Sequence, residues 1–600
     1  MITFQKTPKN PQSTTKGQKN PTKEFLLKIP FKDKDWAKNF AREKGIFLRW
    51  IPAKTMWGYT DSELPKELQP FNQTPKPKKK IVPTQEQQAP IESPDIGEIK
   101  KIHAFAGTGK TTTLEAYAET RPGKKVLYLA FNKSVADEAK LRFPENTTTL
   151  TPHALARRNF PQELQNRIIG NNPRPNKVQE FFSEEINNLE AVLILQTLEC
   201  FLNSNDPIID ESHCPEQEEL EEVKIKNEVS HNQNLPDGWQ EHAVSFAKKL
   251  WEDMINPKGT WPITHNGYLK WYALTKPKLP YDIILLDEAQ DTNPVVEGIV
   301  TRQCVHANII LVGDTHQQIY TWRGAIDSMA RIRTTQNFNL TASFRFGPEI
   351  AACANTILHT FKKEGQKLIG HRPTDKVYQY KRSPFTRIIY ERRPIKHAKI
   401  CRSGVGLFNE AINTIERIKL WQKKNPEQPP LKIAFVGTTA AEAFSPKRHY
   451  DMTFILDIFH LLNQNPHRIR DQYIKSFSKI EELREIAENP SLKAGDLKKA
   501  IKLCDTYPRE LEILIREIDK YSASPDDPHT WVTFTTAHRS KGLEWENVSL
   551  GDDFQNLFEE GRPRSIQDIN IEEINLIYVA MTRAQKQLEL NEDLNTLLQK

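Results

Sequence analysis

At 600 residues the chain is too long for a single hydrophobic core, so we expect several domains. Its composition of 38% hydrophobic and 27% charged residues is typical of a polar globular protein, and no apolar run approaches the roughly 18 residues of a membrane span. The six cysteines are far apart and form no CxxC pair, which argues against zinc and iron–sulfur sites and for a reducing, cytoplasmic compartment.

Positive charge is concentrated near the N-terminus. Residues 1–80 hold 18 Lys and Arg against 7 Asp and Glu, whereas the rest of the chain holds 66 against 70. A basic arm on a nearly neutral body indicates an electrostatic contact with nucleic acid. A solvated, disordered tail would have the same charge, so charge alone leaves both interpretations open.

The N-terminal region is predicted to form three segments. Residues 1–23 are rich in Lys, Pro, Thr, Asn and Gln, which predicts a disordered basic tail. Residues 24–60 have a strand–helix–strand–strand pattern and predict a small N-terminal module. Its expected core aromatics are Trp36, Trp50 and Trp57. Residues 61–82 are rich in Pro and Lys and are expected to form an extended linker.

From residue 83 onward, short apolar runs alternate with helical stretches, a pattern typical of parallel α/β sheets. The predicted strands lie at 125–131, 147–150, 282–286, 308–312, 432–436, 531–535, 547–550 and 587–590. Mostly helical insertions are expected at about 157–275 and about 450–525. We therefore predict an α/β fold of two lobes, residues 83–340 and 341–600, each with a helical insertion.

The run AFAGTGKT at residues 104–111 follows a short apolar run and predicts a strand, a glycine-rich turn and a helix. Gly107 and Gly109 allow backbone N–H groups to surround a phosphate, and the helix N-terminus adds partial positive charge. In such a P-loop, Lys110 reaches the β- and γ-phosphates and the Thr111 hydroxyl binds Mg²⁺. The general P-loop pattern has glycine six residues before the lysine, where this chain has alanine.

A second predicted strand, residues 282–286, ends in Asp287 and Glu288. An aspartate at that position can hold Mg²⁺, usually through water, and the glutamate can orient and deprotonate the water that attacks a γ-phosphate. Adjacent acids after an apolar strand are common in loops, so the pair alone is a moderate signal. Beside a P-loop in the same sheet, it predicts ATP hydrolysis.

Seven further motifs extend the pattern. They are TQEQQ at 84–88, LAFNK at 129–133, TPHALA at 151–156, GDTHQQIYTWRGA at 313–325, LTASFR at 340–345, TTAHRSKGLEW at 535–545 and YVAMTRA at 578–584. In this order they resemble the superfamily 1 DNA helicases of the UvrD/Rep type over about residues 82–592. The family pattern begins its P-loop with alanine, which removes the discrepancy noted above. The run at 400–408 and the helical segment at 470–520 look most like the branch of the F-box DNA helicase and its bacterial relatives.

The resemblance implies RecA-like lobes and a role for individual residues. The implied nucleotide-binding residues are Gln87 (adenine), Ala106, Gly107, Thr108, Gly109, Lys110, Thr111, Thr112 and Glu544 (ribose). The implied catalytic residues are Lys110, Asp287, Glu288, Gln317, Arg345 and Arg583, with Thr111 and Asp287 at Mg²⁺. The implied DNA-contacting residues are Phe131, Asn132, Thr151, His153, Tyr320, Trp322, Arg323, Thr536, His538 and Lys541. Trp322 and Phe131 are the best candidates for base stacking, although a core role for Phe131 stays open.

By resemblance, the chain is expected to be an ATP-dependent helicase that moves 3′ to 5′ on single-stranded and tailed duplex DNA, in repair, recombination or replication. One alternative is a DNA-dependent ATPase that strips proteins such as recombinase filaments from DNA with little unwinding. Another is a non-catalytic DNA-binding protein, which the intact catalytic set disfavours. We expect the protein in the cytoplasm, on the nucleoid if the host is bacterial, without a fused nuclease domain.

Overall fold

A computed structural model gives the structure of the protein. It describes residues 23–27, 34–44, 46, 48–51, 56–61, 65, 68, 82–95, 97–170, 172–182, 186–227, 229–320, 326–387, 393–437, 452–488 and 495–598. The predictions for residues 1–22, for most of the linker and for Trp322 and Arg323 lie outside the described residues. Among the residues described, no helix has both the length and the apolar character needed to cross a membrane.

The N-terminal module is a three-stranded antiparallel sheet with one helix. Its elements are β1 (Lys23–Leu27), α1 (Lys34–Glu43), β2 (Arg49–Ile51) and β3 (Met56–Asp61). Strand β3 lies between the other two. Leu27, Tyr59 and Leu68 form its buried cluster, against which Trp57 packs.

The expected core position of Trp36 is wrong. Its side chain is 44% exposed and stacks on Phe40, with ring centroids 5.4 Å apart. The buried face of α1 is defined by Ala37 and Ala41, which are four residues apart and therefore share one side of the helix. Trp36 precedes this stripe by one residue, about 100° around the axis, and so lies at the side of the buried face. The side chain of Trp50 is outside the described part of the module.

The first lobe is built on six parallel strands in the order β6-β5-β7-β8-β4-β9. The strands are β4 (Lys100–Ala104), β5 (Val126–Leu129), β6 (Thr147–Leu150), β7 (Ile283–Leu286), β8 (Asn308–Gly313) and β9 (Asn337–Leu340). Strands β5 and β7 are buried at every residue, as expected for a parallel sheet covered on both faces.

Helices connect these strands and form the first insertion. They are α2 (Gln85–Glu92), α3 (Lys110–Glu119), α4 (Lys133–Arg142), α5 (Pro152–Arg158), α6 (Pro175–Phe182), α7 (Asn188–Asn203), α8 (Leu220–Lys226), α9 (Trp239–Ile255), α10 (His265–Leu274), α11 (Pro294–Thr301) and α12 (Ser328–Arg331). Helices α6 to α10 lie between β6 and β7 in the chain, within the predicted insertion. The acidic segment around residues 210–222 forms short 3-10 turns and the start of α8.

The second lobe also has six parallel strands, in the order β12-β19-β16-β13-β15-β14, with two small two-stranded sheets beside them. Its strands are β10 (Ala342–Ser343), β11 (Ile369–Gly370), β12 (Lys376–Tyr378), β13 (His397–Cys401), β14 (Lys432–Phe435), β15 (Thr530–Thr536), β16 (Trp545–Leu550), β17 (Phe558–Glu559), β18 (Arg562–Pro563) and β19 (Ala584–Glu589).

Central strand β13 was not among the predicted strands. His397 and Lys399 interrupt its apolar pattern, yet both are buried. The Lys399 ammonium is satisfied by the Leu550 carbonyl at 2.9 Å and lies 3.5 Å from Glu410. A buried lysine of this kind depends on partners distant in sequence, so the local pattern does not indicate a core strand.

The helices of the second lobe include its insertion, α15 to α19. They are α13 (Pro348–Lys362), α14 (Gly404–Lys424), α15 (Thr453–Leu462), α16 (Gln472–Lys475), α17 (Ile480–Glu488), α18 (Gly495–Thr506), α19 (Leu511–Tyr521), α20 (Ala537–Ser540) and α21 (Ile571–Met581). Helix α21 is buried from Glu573 to its end. It positions Tyr578 and Arg583 toward the first lobe, as described next.

Candidate nucleotide and nucleic-acid sites

The P-loop joins the end of β4 to the start of α3. Gly107 and Gly109 have φ angles of 75° and 82°, a left-handed conformation that glycine adopts without strain. A Cβ on Gly107 would lie 2.6 Å from the Ser343 hydroxyl and 2.7 Å from the Arg345 Cβ, so the second lobe approaches the loop closely. No side chain caps α3, which leaves its first N–H groups available to an anion. Thr112 follows in the first turn.

Two loop residues and the upstream glutamine are held by local bonds. The Thr108 hydroxyl donates to the Phe105 carbonyl at 2.8 Å, and the Gln87 amide nitrogen donates to the Thr108 carbonyl at 3.2 Å. The Gln87 amide oxygen accepts from the Thr84 N–H at 3.0 Å. Both ends of the Gln87 amide thus pair within the protein, and its adenine contact stays a prediction.

The four predicted phosphate and magnesium residues come together at the ends of β4 and β7. Lys110 Nζ lies 3.0 Å from a Glu288 carboxylate oxygen, and the Thr111 hydroxyl donates to Asp287 at 3.1 Å. Tyr128 also donates to Asp287, at 2.6 Å. Glu288 has a φ of 53°, a conformation uncommon outside glycine and frequent at functional sites.

The charges in this cluster influence one another's protonation. Burial and the neighbouring Glu288 raise the pKa of Asp287. Burial alone would raise the pKa of Glu288, but Lys110 and Lys541 lower it to about 2. Burial would lower the pKa of Lys110, but Glu288, Asp314 and Asp287 raise it. Glu288 is therefore ionised and Lys110 charged at neutral pH.

These residues fit a magnesium–triphosphate ligand. The Thr111 hydroxyl and Asp287 carboxylate are adjacent oxygen donors, the type of ligand that Mg²⁺ prefers. The uncapped start of α3 and the charged Lys110 suit phosphate oxygens.

The second lobe reaches the nucleotide site through Tyr578, which sequence reasoning did not single out. Its hydroxyl accepts from the Ala106 N–H at 3.1 Å and donates to Asp314 at 3.2 Å. Asp314 also accepts from the Gln317 amide at 2.6 Å. Burial and Asp314 raise the pKa of Tyr578, so the phenol stays protonated and can donate.

Both predicted arginine fingers lie at this junction. Arg583 is 1% exposed, and its guanidinium donates to the Gln317 side-chain oxygen at 3.4 Å and to the Val579 carbonyl at 2.9 Å. Burial and nearby Arg345 lower the pKa of Arg583 to about 9, which still leaves it charged at neutral pH. Arg345 pairs with Glu544 at 2.9 Å, so the predicted ribose contact of Glu544 has a protein partner here.

A cavity of about 950 Å³ opens at the carboxyl ends of β5, β6 and β7. The predicted DNA-contacting residues that line it are Phe131, Asn132, His153 and Tyr320. Phe131 is 40% exposed and stacks on Tyr320, with centroids 5.6 Å apart and planes 18° apart. The alternative of a core role for Phe131 is therefore wrong. Glu288 and Asp291 line the same cavity, which brings it up to the nucleotide site.

Three of the predicted DNA residues also have structural roles at helix starts. The Asn132 side chain accepts from the Val135 N–H at 3.0 Å, and Thr151 accepts from Ala154 at 3.1 Å. Thr536 caps α20. His538 accepts from the Tyr320 hydroxyl through its carbonyl at 3.2 Å.

Lys541 is buried in an ion pair and does not lie on an open surface. Its ammonium contacts the Asp291 carboxylate and donates to the Gln317 carbonyl at 2.6 Å. The Lys541 side chain is 9% exposed and that of Asp291 is 0% exposed. Burial raises the pKa of Asp291 to about 6, against the opposing effect of Lys541. Lys541 is thus the counter-ion of a buried carboxylate here, a partner that its own motif does not reveal, and its DNA contact stays a prediction.

The fold and this site define a two-lobed P-loop protein, and comparison with known proteins gives its family. The model of the UvrD/REP helicase N-terminal domain matches residues 83–337, and that of the UvrD-like helicase C-terminal domain matches residues 469–592. The chain belongs to the UvrD/Rep family of superfamily 1, and the predicted α/β fold with parallel sheets is confirmed.

Several curated proteins are similar to the chain. It is 32% identical to F-box DNA helicase protein 1 of Schizosaccharomyces pombe over 84% of this chain and 56% of the relative. It is 31% identical to F-box DNA helicase 1 of Gallus gallus over 84% of this chain and 48% of the relative. A probable DNA helicase II homologue of Mycoplasma pneumoniae is 28% identical over 44% of this chain and 41% of the relative. The chain spans about half the length of the two F-box relatives, and the expected likeness to that branch is confirmed.

Proposed function

We propose that the protein is an ATP-dependent DNA helicase that translocates 3′ to 5′ on single-stranded DNA. The observation that carries this proposal is the meeting of both lobes at the P-loop, where Arg583 contacts Gln317 and Tyr578 contacts Ala106. Residues 83–340 and 341–600 would then form the two motor lobes, with a basic N-terminal module joined by a linker. The expected location is the cytoplasm, on the nucleoid in a bacterial host.

Each group at the junction has a chemical role in this proposal. Lys110 and the first N–H groups of α3 bind the phosphates, and Glu288 accepts a proton from the attacking water. Thr111 and Asp287 would hold Mg²⁺, which would neutralise charge on the phosphate oxygens. Arg345 and Arg583, which belong to the second lobe, stabilise negative charge on the phosphate, an effect of about 10³–10⁵ in rate at related sites. Hydrolysis therefore requires closed lobes.

The cavity beside the nucleotide site supports DNA as the track. Phe131 and Tyr320 form an aromatic surface to which bases can stack, an interaction of about 1–3 kcal/mol per base. Tyr320 lies three residues after Gln317, so one short stretch of backbone connects the nucleotide site to the base-stacking surface. Closing and reopening of the lobes would then advance the strand.

A second output of the same motor is removal of proteins, including recombinase filaments, from DNA with little strand separation. ATPase activity with and without single-stranded DNA tests the motor, and unwinding of duplexes with a 3′ or a 5′ tail tests direction. Stimulated hydrolysis with unwinding of the 3′-tailed duplex is expected. Efficient unwinding of only the 5′-tailed duplex would refute the direction, and stimulated hydrolysis without unwinding would favour protein removal.

A further inference from the structure

The first helical insertion contributes part of the wall of the 950 Å³ cavity. Glu199 of α7 and Asn266 of α10 line it together with His153 of α5 and with Phe131 and Tyr320. The helicase motifs include His153 but neither insertion residue. The insertion therefore supplies polar groups to the surface on which the proposed function places DNA.

Glu199, Asn266 and His153 form a hydrogen-bonded chain. The Asn266 amide nitrogen donates to Glu199 Oε1 at 2.5 Å, and Asn266 Oδ1 lies 3.2 Å from His153 Nε2. A carboxylate only accepts hydrogen bonds, so Asn266 must turn its NH₂ group to Glu199 and its oxygen to His153. His153 Nε2 must then carry hydrogen and donate to that oxygen.

The surroundings of His153 favour the uncharged ring. Its neighbours are the rings of His265 and Tyr268, at 6.3 and 6.1 Å between centroids. Burial lowers the pKa of His153, Asn266 acts in the opposite direction, and His265 lowers it further. With Nε2 carrying the hydrogen, the Nδ1 atom of a neutral imidazole is an acceptor.

An acceptor cannot bond a phosphate, whose oxygens also accept, and the single N–H of His153 is already used by Asn266. Within a DNA strand, the groups that donate hydrogen bonds are the N–H groups of the bases. We propose that Glu199 and Asn266 are positioning residues that present His153 Nδ1 to a base, and not to the phosphate, of single-stranded DNA. This inference rests on the proposed function.

Salt dependence separates a base contact from a phosphate contact. Loss of one phosphate contact on a single strand reduces the slope of log K against log salt by about 0.7. For His153→Ala we expect binding of a mixed-sequence single strand to weaken about three- to tenfold, with the slope unchanged. Fluorescence anisotropy on the full chain across a salt series measures both quantities at one pH.

Double-mutant cycles test the positioning role. Asn266→Leu and Glu199→Gln are each expected to weaken binding, as His153→Ala does. Asn266→Leu removes the oxygen that accepts from His153 Nε2. In Glu199→Gln the introduced amide can donate, so the Asn266 side chain can turn its oxygen to residue 199 and its NH₂ group to His153. Neither change should weaken binding further in a His153→Ala background, which a merely structural defect would do. Glu190→Gln is the matched control, since Glu190 lies on the same helix and bonds the Asn187 N–H at 2.9 Å.

The outcomes distinguish this inference from the proposed function. If hydrolysis by the wild-type protein is DNA-stimulated, any one of three results would overturn the inference alone. These results are a salt slope reduced by about 0.7 for His153→Ala, wild-type binding by Asn266→Leu and Glu199→Gln, and additive effects in the double variants. Wild-type protein that neither binds single-stranded DNA nor responds to it would overturn both. Thermal unfolding of each variant identifies any that fail to fold. If Asn266→Leu is one of them, Asn266→Asp replaces it.

Discussion

Replacing Tyr578 by phenylalanine should weaken the closed state of the two lobes. Tyr578 is fully buried, and its hydroxyl bonds both the Ala106 N–H of the P-loop and the Asp314 carboxylate. Phenylalanine preserves the ring and removes only these two bonds. Asp314 keeps the Gln317 amide as a donor, whereas the Ala106 N–H loses its partner.

The size of the effect follows from that unpaired N–H. A buried donor without a partner costs about 1–3 kcal/mol. The penalty applies when the lobes are together, because separated lobes expose Ala106 to water. The equilibrium for closure should therefore shift by about 5- to 150-fold, and the kcat/KM for ATP should fall by a comparable factor.

Steady-state ATPase measurements with saturating single-stranded DNA provide the assay. Tyr117→Phe is a matched control: Tyr117 is also fully buried, accepts from Lys100 at 3.1 Å and donates to Asp95, all within the first lobe. Both variants should be less thermally stable than the wild type, but only Tyr578→Phe should have a lower kcat/KM for ATP. A kcat/KM of Tyr578→Phe within twofold of the wild-type value, or an equal fall in the kcat/KM of Tyr117→Phe, would refute the reasoning.

Four other changes test the proposed motor. Lys110→Ala and Glu288→Gln should each abolish hydrolysis in folded protein, but only Glu288→Gln should still bind ATP, as a fluorescent-nucleotide assay would reveal; substantial hydrolysis by Glu288→Gln would assign the base elsewhere. Deleting residues 1–80 should preserve DNA-stimulated ATPase but weaken DNA binding with a smaller salt slope, and an unchanged slope would indicate protein docking instead. Trp322→Ala should keep basal ATPase and ATP affinity but lose most translocation, and unwinding at the wild-type rate would exclude its stacking role.

The sequence predicts best what depends on local pattern and on sheet edges. Lys110 and Thr111 follow one strand of the first sheet, and Asp287 and Glu288 follow another, so parallel strands bring their side chains to one edge. Their observed contacts are those that this rule implies.

Contacts between distant segments were not predictable in this way. The burial of Lys541 depends on Asp291, and the bond of Tyr578 to the P-loop depends on how α21 packs against the first lobe. The exposure of Trp36 likewise depends on which face of α1 the small module buries. In each case the residue type allows several environments, and tertiary partners select one.

The segment after β8 explains how the two sites can act together. Asp314 bonds Tyr578, Gln317 contacts Arg583 through its side chain and Lys541 through its carbonyl, and Tyr320 stacks on the cavity residue Phe131. The segment contains a 3-10 turn at Thr315–Gln317, and even a fully extended chain of this length spans only about 20 Å, so these contacts are closely linked. When the second lobe withdraws, Asp314 and Gln317 lose partners and Tyr320 loses its bond to the His538 carbonyl, while the Tyr320 ring remains stacked on Phe131 of the first lobe. Withdrawal of the second lobe is therefore felt at the nucleotide residues and at the base-stacking surface together, because one short segment carries both.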